Sequence, residues 1–524
     1  MESRDAVHWA DQTALKIIKE HGDKEQYTCA SGITPSGTVH IGNFREIISV
    51  DLVVRALRAL GKKVRFIYSW DDYDVFRKVP VNMPDQETLA KHLRMPITMV
   101  PDTFGRDSSY ARHHEVDVES ILPAVGIKPE FLYQAERYRA STYAEGMRRA
   151  LEKREVLKGI LDKYRDEDHK IQGEYWPISV FCDACDRDTT EIEGWDGEWG
   201  VSYSCECGHR ETVDLRKAKG VKLSWRVDWP MRWAYEGVDF EPAGKDHHSQ
   251  GGSFDTSKHV VEEVYGRKPP TTFRYDFIGI KGTPGKMSSS KGKVVDLYDL
   301  LRVYTPELAR YLFAGTRPNT EFTISFDLDV IKIYEDYDRT ERIYWGTESA
   351  KDEETRARER RIYELSQVDE VPAKMPYQVA FRHLCSLLQI NLGDVEKTLA
   401  QLPGVEEHQL ERLRVRAKCA WTWITESAPD EFRWALREDG SSIETTEEER
   451  AALVELREAV RAGDLDEQAL GTRIFDIAKA HGLEPKDFFK VTYRALIDRD
   501  RGPRLAGFIL EVGADRIAKI LSVY

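Results

Sequence analysis

The sequence has no long apolar run and no secretion signal. No stretch reaches the roughly 18 consecutive apolar residues that a membrane-spanning helix requires. Residues 1–25 mix charged and apolar positions and hold no continuous apolar core of the signal-peptide kind. We therefore expect a cytoplasmic protein with no membrane segment.

Cysteine is scarce, and basic residues are outnumbered by acidic ones. Seven cysteines occur in 524 residues, and four of them lie in two close pairs. This usage is typical of an intracellular chain with a metal site and argues against a disulfide framework. The 77 Lys and Arg residues stand against 91 Asp and Glu, a net charge of −14. A globally basic nucleic-acid coat is thereby excluded, while a local basic face is not.

Residues 28–46 are the most informative stretch. An apolar run over 27–33 predicts a buried strand, a loop with Pro35, Gly37 and Gly42 follows, and an apolar-periodic helix comes next. Such a helix N-terminus binds phosphate, because its free N–H groups and its dipole both point at the anion. The loop has neither the Gly-Lys-Ser/Thr ending of a Walker loop nor a Gly-x-Gly-x-x-Gly pattern. The residues predict a phosphate site of another kind.

A second strand is predicted over residues 63–70, and it runs directly into Asp71, Asp72 and Asp74. Strand, helix and strand in this order form a βαβ unit, whose ligands bind at the carboxyl ends of the strands. The three carboxylates fit a solvated turn and an acidic lining for a cationic substrate or a ribose equally well.

Two cysteine pairs indicate a metal site. Cys182 and Cys185 are followed, after nineteen residues, by Cys205 and Cys207, with a short hairpin predicted between the pairs. Four soft ligands at this spacing suit tetrahedral Zn²⁺ in a closed, structural site. Because one residue separates the second pair, His209 is an alternative ligand to either of its cysteines.

A lysine-rich loop follows a strand predicted over residues 272–280. Residues 281–293 hold four lysines among glycines and hydroxyl residues. Such a cationic loop stabilises charge on a transferring phosphoryl group or on leaving pyrophosphate. From Thr305 onward the pattern is mostly helical; basic residues at 412–418 fit a solvated helix face better than a nucleic-acid contact.

Several motifs together resemble a known family. Residues 40–43 are His-Ile-Gly-Asn and residues 286–291 are Lys-Met-Ser-Ser-Ser-Lys, in that order along the chain. Ser-Gly-Ile-Thr-Pro-Ser-Gly stands at 31–37, an aromatic-rich segment at 225–233, and Gly-Lys-Asp-His-His at 244–248. This set is similar to the class I lysyl-tRNA synthetase family in its archaeal type.

The resemblance covers most of residues 25–315. The remainder of the chain resembles the family only in being helical. It implies an α/β Rossmann-type parallel-sheet catalytic domain with a zinc-containing insertion, followed by an all-α C-terminal anticodon-binding region. The implied parts are residues 1–95 and 222–300 for the two catalytic halves, 96–221 for the insertion with its zinc-binding hairpin, 301–370 for stem-contact or linker helices, and 371–524 for the anticodon-binding domain.

The implied activity is ATP-dependent formation of lysyl-adenylate and transfer of lysine to tRNA(Lys). Expected partners are ATP with Mg²⁺, L-lysine and tRNA(Lys), and a monomer is expected. The catalytic residues implied are His40, Asn43, Lys286 and Lys291. ATP binding is implied for Pro35, Gly37, His40, Gly42, Asn43, Lys286, Met287, Ser288, Ser289, Ser290 and Lys291. Lysine binding is implied for Gly32, Thr34, Trp225, Asp246, His247 and Tyr275, with Trp229 and His248 as alternatives to their neighbours.

The chain departs from the family pattern at three places. Asn43 stands where His is commonest, and Ser289 stands where the usual loop has a second lysine, so its role falls to Lys291. Related lysyl enzymes carry a second metal cluster in the insertion. Here that neighbourhood holds Asp102, Arg106, Asp107 and His113, with arginine where a cysteine ligand is expected.

Three other readings share some of these features. A class I synthetase for glutamate or cysteine has the same ATP motifs, but the acidic and aromatic pocket residues favour a cation. A nucleotidylyltransferase without tRNA would not need a helical tail of this length. A non-catalytic tRNA-binding paralogue would not need His40, Lys286 and Lys291 to be intact.

Overall fold

A computed structural model describes residues 6–283, 294–463 and 465–524. The chain forms two compact units. The first comprises Met1–Leu301, Pro306–Ile324 and Arg339–Val371, and the second comprises Arg302–Thr305, Ser325–Asp338 and Pro372–Tyr524. No helix in the described part of the chain has the length and apolar character that crossing a bilayer would take.

The strands are short except for the first two. They are β1 (Gln26–Ile33), β2 (Lys63–Trp70), β3 (Glu130–Tyr133), β4 (Ile178–Val180), β5 (Thr190–Trp195), β6 (Gly200–Cys205), β7 (Arg210–Asp214), β8 (Val221–Leu223), β9 (Ala243–Gly244), β10 (Arg274–Tyr275), β11 (Ile278–Ile280) and β12 (Phe322–Ile324).

Helices dominate the rest of the chain. They are α1 (Trp9–His21), α2 (Ile41–Ala59), α3 (Gln86–Lys91), α4 (Tyr110–Ile121), α5 (Gln134–Arg139), α6 (Ala144–Glu152), α7 (Arg154–Asp162), α8 (Trp225–Glu236), α9 (Ser253–Glu263), α10 (Leu297–Leu301), α11 (Pro306–Ala314), α12 (Asp329–Trp345), α13 (Glu353–Ser366), α14 (Phe381–Ile390), α15 (Val395–Ala400), α16 (Leu410–Glu426), α17 (Glu447–Ala462), α18 (Glu467–Ala480), α19 (Pro485–Ile497), α20 (Leu505–Val512) and α21 (Ala514–Ile520).

A parallel sheet organises the first unit. Strands β1, β2 and β3 pair in that order, and β1 and β2 are in register over their full length. Isolated parallel bridges from Phe240 to Cys29 and Thr271 connect this sheet to the parallel pair β9 and β10. The strand β3 comes from the range 96–221 that we expected to be an insertion, so the parallel sheet draws a strand from that range. Its four residues are too few for a periodicity signal.

Helix α2 is the crossover between β1 and β2 and is buried on most of its circumference. Its apolar side chains recur at nearly every position, as in a helix enclosed by a sheet and other helices. Gly61 follows the helix with φ of 76°, a left-handed conformation that glycine adopts without strain. The predicted strand–helix–strand unit over residues 27–70 is confirmed.

The strand predicted over residues 272–280 is two strands. Strand β10 pairs with β9, whereas β11 pairs with β12. Between them the carbonyls of Asp276 and Phe277 turn away from the sheet and accept hydrogen bonds from the Arg45 guanidinium at 2.7 and 3.2 Å. This tertiary contact divides a continuous apolar segment.

The second unit is helical. In its core the rings of Tyr334 and Phe381 stack with centroids 3.8 Å apart. Arg416 forms a buried ion pair with Asp338 at 2.6 Å, and Arg414 pairs with Glu396 at 2.6 Å. The expectation that the basic residues at 412–418 form one solvated face is wrong for Arg416, because its guanidinium is needed to neutralise a buried carboxylate.

Candidate active site

A cavity of about 810 Å³ lies at the carboxyl ends of the parallel strands in the first unit. Residues after β1 and β2, the first turns of α2 and α8, and residues around β9 and β10 line it. Ligands of open parallel sheets bind at this edge, because the loops that leave neighbouring strands converge there. The cavity is the candidate active site.

His40 and Asn43 form a reciprocal cap at the start of α2. The Nδ1 atom of His40 accepts a hydrogen bond from the Gly42 amide at 3.1 Å. The amide of His40 donates to Oδ1 of Asn43 at 3.2 Å. The Asn43 carboxamide oxygen therefore completes the cap of α2, which gives a structural role to asparagine at the position where the family commonly has histidine. Asn43 also lines the cavity.

The loop between β1 and α2 is anchored on both sides. The hydroxyl of Tyr110 donates to the carbonyl of Ser36 at 2.8 Å. The amide of Ile41 donates to the carbonyl of Val295 at 2.8 Å, and His40 forms an antiparallel bridge with Asp296. Pro35, Gly37 and Gly42 belong to this loop region but do not line the cavity, while Ser36 does.

The lysine-rich motif at 286–291, with Lys286, Met287, Ser288, Ser289, Ser290 and Lys291, lies outside the described residues. The next described residue is 294. Residues 295 and 296 then contact the first turn of α2 at His40 and Ile41. The segment that follows the lysine motif thus begins beside the capped helix.

A carboxylate that sequence reasoning missed lies in the cavity wall. Glu46 accepts hydrogen bonds from the Ser31 hydroxyl at 2.8 Å, from the Gly32 amide at 3.2 Å and from the Tyr275 hydroxyl. Burial raises the pKa of Glu46, and the hydrogen bonds from Tyr275 and Ser31 oppose that rise. Glu46 follows Asn43 by three residues and so lies on the same face of α2, a spacing from which its place beside the site could have been predicted.

Glycine is required at position 32 because the backbones of β1 and β2 lie close together there. A Cβ atom at this position would lie 2.7 Å from the carbonyl oxygen of Ser69 on the neighbouring strand. Only glycine lets β1 and β2 stay paired here while the amide of residue 32 points at Glu46.

Two further carboxylates of the cavity are countered by basic residues. Asp74 accepts from the Lys222 ammonium at 2.7 Å and from the Thr34 hydroxyl at 2.9 Å. Asp71 pairs with Arg232 at 2.7 Å. Burial alone would raise the pKa of Asp74, but Lys222 brings it below its usual value. Lys222 and Arg232 were not predicted, since isolated basic residues carry no spacing signal.

Asp72 does not belong to the acidic lining. Its carboxylate accepts a hydrogen bond from the Ala135 amide at 2.8 Å, away from the cavity. Burial raises the pKa of Asp72 from 3.8 to about 8. The three acidic residues after β2, at positions 71, 72 and 74, therefore divide into two that face the cavity and one that is buried away from it.

The aromatic wall contains both candidate tryptophans. Trp225 and Trp229 lie one turn apart on α8 and stack with ring centroids 5.2 Å apart, and both line the cavity. His247 also lines it, whereas His248 stacks on Phe254 instead. Tyr275 and Thr34 line the cavity as well; Asp246 is exposed and is not among the lining residues.

The four cysteines come together. Sγ of Cys182 lies 3.7 Å from that of Cys207, and Sγ of Cys185 lies 3.7 Å from that of Cys205. Zn–S bonds of about 2.3 Å in a tetrahedron require sulfur atoms about 3.8 Å apart, so the donor set fits zinc. His209 instead contacts Glu211 at 3.0 Å.

The second cluster is different. Ligand atoms of Asp102, Asp107 and His113 lie within 4.8 Å of one another. However, the guanidinium of Arg106 pairs with Asp107 at 2.6 Å and with Asp117 at 2.7 Å. A guanidinium of the chain already pairs with Asp107, and the Asp102 carboxylate accepts three backbone amides, so the donor set does not fit a metal ion.

The parallel sheet, the capped helix N-terminus and the cavity at its edge are features of α/β proteins that bind a nucleotide, and the class I aminoacyl-tRNA synthetases are one class of this kind. Residues 7–369 match the family described as class I (K) tRNA synthetases, and the chain belongs to this family. The expected family and its parallel-sheet fold with many helices are confirmed.

Curated relatives cover almost the whole chain. It is similar to the lysine–tRNA ligase of Treponema pallidum, with 56% identity over 99% of each chain. The lysine–tRNA ligase of Borreliella burgdorferi is 54% identical over 99% of each chain. The lysine–tRNA ligase of Thermococcus kodakarensis is 44% identical over 98% of this chain and 99% of its own.

Proposed function

We propose that this chain attaches L-lysine to tRNA(Lys) through a lysyl-adenylate. The observation that carries the proposal is the cavity carboxylate of Glu46, held by Ser31, Gly32 and Tyr275 beside a capped helix N-terminus. The lysine–tRNA ligases that match the full chain support it.

Glu46 is the proposed partner of the substrate ε-ammonium. Asp71 and Asp74 are already paired with Arg232 and Lys222. Glu46 makes no ion pair with a basic side chain in the described part of the chain, so its charge is available to a ligand. A cationic ligand would favour the ionised form of this carboxylate, whereas a glutamate side chain would be repelled by it.

The stacked Trp225 and Trp229 offer an apolar wall for the four-carbon stem of lysine. Thr34 and His247 complete the same cavity. We assign the family's lysine-binding role to these residues together with Gly32 and Tyr275. Asp246, which is exposed, is proposed only as an outer contact.

ATP is proposed to bind along the loop of residues 35–43. The N-terminus of α2 offers the positive end of the helix dipole to the phosphates. Lys286 and Lys291 would neutralise the triphosphate and the leaving pyrophosphate, with Ser289 between them. Mg²⁺ would supply additional charge neutralisation when bound with ATP.

The first step joins a carboxylate oxygen of lysine to the α-phosphorus, and the bond from this phosphorus to the pyrophosphate oxygen breaks. A terminal ribose hydroxyl of tRNA then attacks the lysyl carbonyl carbon, its proton is lost, and AMP leaves. Both steps need alignment more than acid–base chemistry, so the contribution of the site is positioning and charge stabilisation.

We propose that Zn²⁺ at Cys182, Cys185, Cys205 and Cys207 is structural. The metal would hold the antiparallel strands β5, β6 and β7 to the segment around β4. The proposed functional parts are the four parts expected from the sequence, with β3 of the range 96–221 added to the catalytic sheet.

The helical region 371–524 is proposed to bind the anticodon end of tRNA. An open pocket of about 510 Å³ lies there among α18, α19 and α20. The rings of Phe475 and Phe489 contact each other at 5.2 Å in its wall, and Arg504 lines it. Exposed rings and guanidinium groups are surfaces on which unpaired bases stack. We also propose that the protein is a monomer in the cytoplasm.

The deciding experiment is aminoacylation of a total tRNA pool with each amino acid in turn. Lysine alone should be attached, and only to tRNA(Lys). Attachment of glutamate or cysteine would contradict the assignment of Glu46. Formation of lysyl-adenylate without any charging of tRNA would instead favour a nucleotidylyltransferase.

A further inference from the structure

The loop of residues 101–107 and the helix α4 form a polar cluster outside the cavity. Its side chains are those of Asp102, Asp107, His113 and Asp117, and potential ligand atoms of Asp102, Asp107 and His113 lie within 4.8 Å of one another. His113 and Asp117 are one turn apart on α4. Such a donor set would hold a divalent cation if its oxygens and nitrogens were free.

The donors are committed to contacts within the chain. The Asp102 carboxylate accepts the amides of Phe104, Arg106 and Asp107 at 3.0, 2.9 and 2.8 Å. Nδ1 of His113 lies 3.3 Å from the same carboxylate. Three amide donors occupy most of the lone-pair directions of one carboxylate, so little of it is left for a metal ion.

Arg106 supplies the positive charge of the cluster. Its Nε atom donates to Asp107 at 2.6 Å, and a terminal nitrogen lies 2.7 Å from Asp117 and donates to the His113 carbonyl at 3.0 Å. One planar guanidinium thus bridges the loop and two consecutive turns of α4. Fixed, forked donors suit this task in a way that a single ammonium does not.

We infer that the Arg106 guanidinium takes the place of a metal ion in this cluster. The chain then holds one zinc, at the four cysteines, and no metal at Asp102, Asp107 and His113. Phe104 covers the open face of the His113 ring, with centroids 4.5 Å apart and planes 14° from parallel, which further restricts access to the imidazole.

The bridge has a consequence for the active site. Helix α4 begins at Tyr110, and the Tyr110 hydroxyl holds the Ser36 carbonyl of the proposed ATP loop at 2.8 Å. By tying the first turns of α4 to the loop of residues 101–107, Arg106 acts as a positioning residue for Ser36. This second part of the inference rests on the proposed function, whereas the metal count does not.

The metal count is measured on the purified full-length protein by elemental analysis. One zinc per chain is expected, and Cys182→Ser should remove it while His113→Ala should leave it in place. Two zinc ions per chain, one of them lost in His113→Ala and kept in Cys182→Ser, would overturn the inference. If His113→Ala does not accumulate as folded protein, Asp107→Asn takes its place.

The positioning role is measured by steady-state kinetics of lysine attachment. Arg106→Ala should raise KM for ATP about tenfold with KM for lysine unchanged, since only the ATP loop is displaced. Arg106→Lys, which can pair with one carboxylate but not bridge two, should fall between the alanine variant and wild type. Arg356→Ala is the matched control, because Arg356 is equally exposed (48% against 49%) and pairs with Glu353 on α13.

The outcomes separate the inference from the proposed function. An Arg106→Ala variant with the same KM for ATP as Arg356→Ala would refute the positioning role. Failure of the wild-type chain to attach lysine would refute the proposed function. The zinc count would then still test whether Arg106 takes the place of a metal ion.

Discussion

The carboxylate of Glu46 accepts a hydrogen bond from the hydroxyl of Tyr275, 229 positions further along the chain. The preceding residue, Arg45, donates to the carbonyls of Asp276 and Phe277, which directly follow Tyr275. Two neighbouring residues of one helix therefore hold the same distant segment, one at the tyrosine side chain and one at the backbone that follows it. The wall of the cavity at Tyr275 depends on this pair of contacts.

Glu46→Gln tests the proposed lysine recognition. The substitution keeps the shape of the side chain but removes its charge, so the ε-ammonium loses its ionic partner. Losing one member of a desolvated charge pair costs about 2–5 kcal/mol, so KM for lysine should rise about 100-fold. Steady-state attachment of lysine to tRNA measures it, with KM for ATP as the internal reference.

Glu25→Gln is the control for this change, because the Glu25 side chain is exposed and pairs with Lys63 on the surface. It should leave both KM values as in wild type. If Glu46→Gln also left KM for lysine unchanged, the ε-ammonium would have to bind elsewhere in the cavity.

Arg45→Met tests the fixing of Tyr275. The guanidinium also holds the carbonyls of Arg317 and Thr320, so the variant removes one hydrogen-bond donor from each of four carbonyls. Burial lowers the pKa of Arg45 to about 10, which keeps it charged at neutral pH. The free energy of unfolding should fall by about 3 kcal/mol or more in urea titrations.

Surviving folded Arg45→Met protein should also show a raised KM for lysine, since Tyr275 is no longer held against Glu46. Arg339→Met provides the comparison, because Arg339 is 45% exposed and pairs with Glu348 at 2.9 Å. Equal stability of the two variants would show that the four carbonyls find other donors.

Asp72→Asn tests the pH dependence of stability. Burial raises the pKa of Asp72 to about 8 from 3.8. A carboxyl group with a raised pKa stabilises the fold fully below its unfolded value of 3.8, and this stability is lost as the pH rises through 8. Between these values the wild type should lose up to about 1.4 kcal/mol per pH unit relative to the asparagine variant.

Urea unfolding of both proteins from pH 5 to pH 8 gives the comparison. Asp168→Asn, at an exposed position, should run parallel to wild type over the same range. Parallel curves for Asp72→Asn and wild type would mean that Asp72 is ionised in the folded protein throughout.

Phe475→Ala tests the proposed RNA contact in the helical region. Loss of one stacked base costs about 1–3 kcal/mol, so KM for tRNA should rise about tenfold or more with KM for lysine unchanged. Leu510→Ala is matched in exposure, 44% against 45%, and lies outside the pocket. The same tRNA affinity in both variants would exclude the pocket from RNA binding.

Local patterns predicted the elements that need few tertiary contacts. The strand at 63–70 agrees with the structure because its apolar run has no competing signal. The spacing of the four cysteines predicted their convergence, since ligands of one metal site must lie close along two short loops. Local patterns also predicted the loop and the start of the helix between residues 28 and 46.

Long-range contacts decided what the sequence left open. Residues 272–280 divide into two strands because Arg45 captures the carbonyls between them. Trp225 and Trp229 both line the cavity because they share one face of α8, whereas the sequence offered them as alternatives to each other.

The sequence by itself determined the family, the order of the motifs and the candidate zinc ligands, because each depends on residue types at short spacings. Tertiary structure alone decided that Asp71 and Asp74 have cationic partners and that Glu46 has none among the described residues. Asp71, Asp74 and Glu46 look alike in the sequence, but Arg232 and Lys222 approach only the first two. Neutralisation of a charge depends on distances between remote residues, and these exist only in the folded chain.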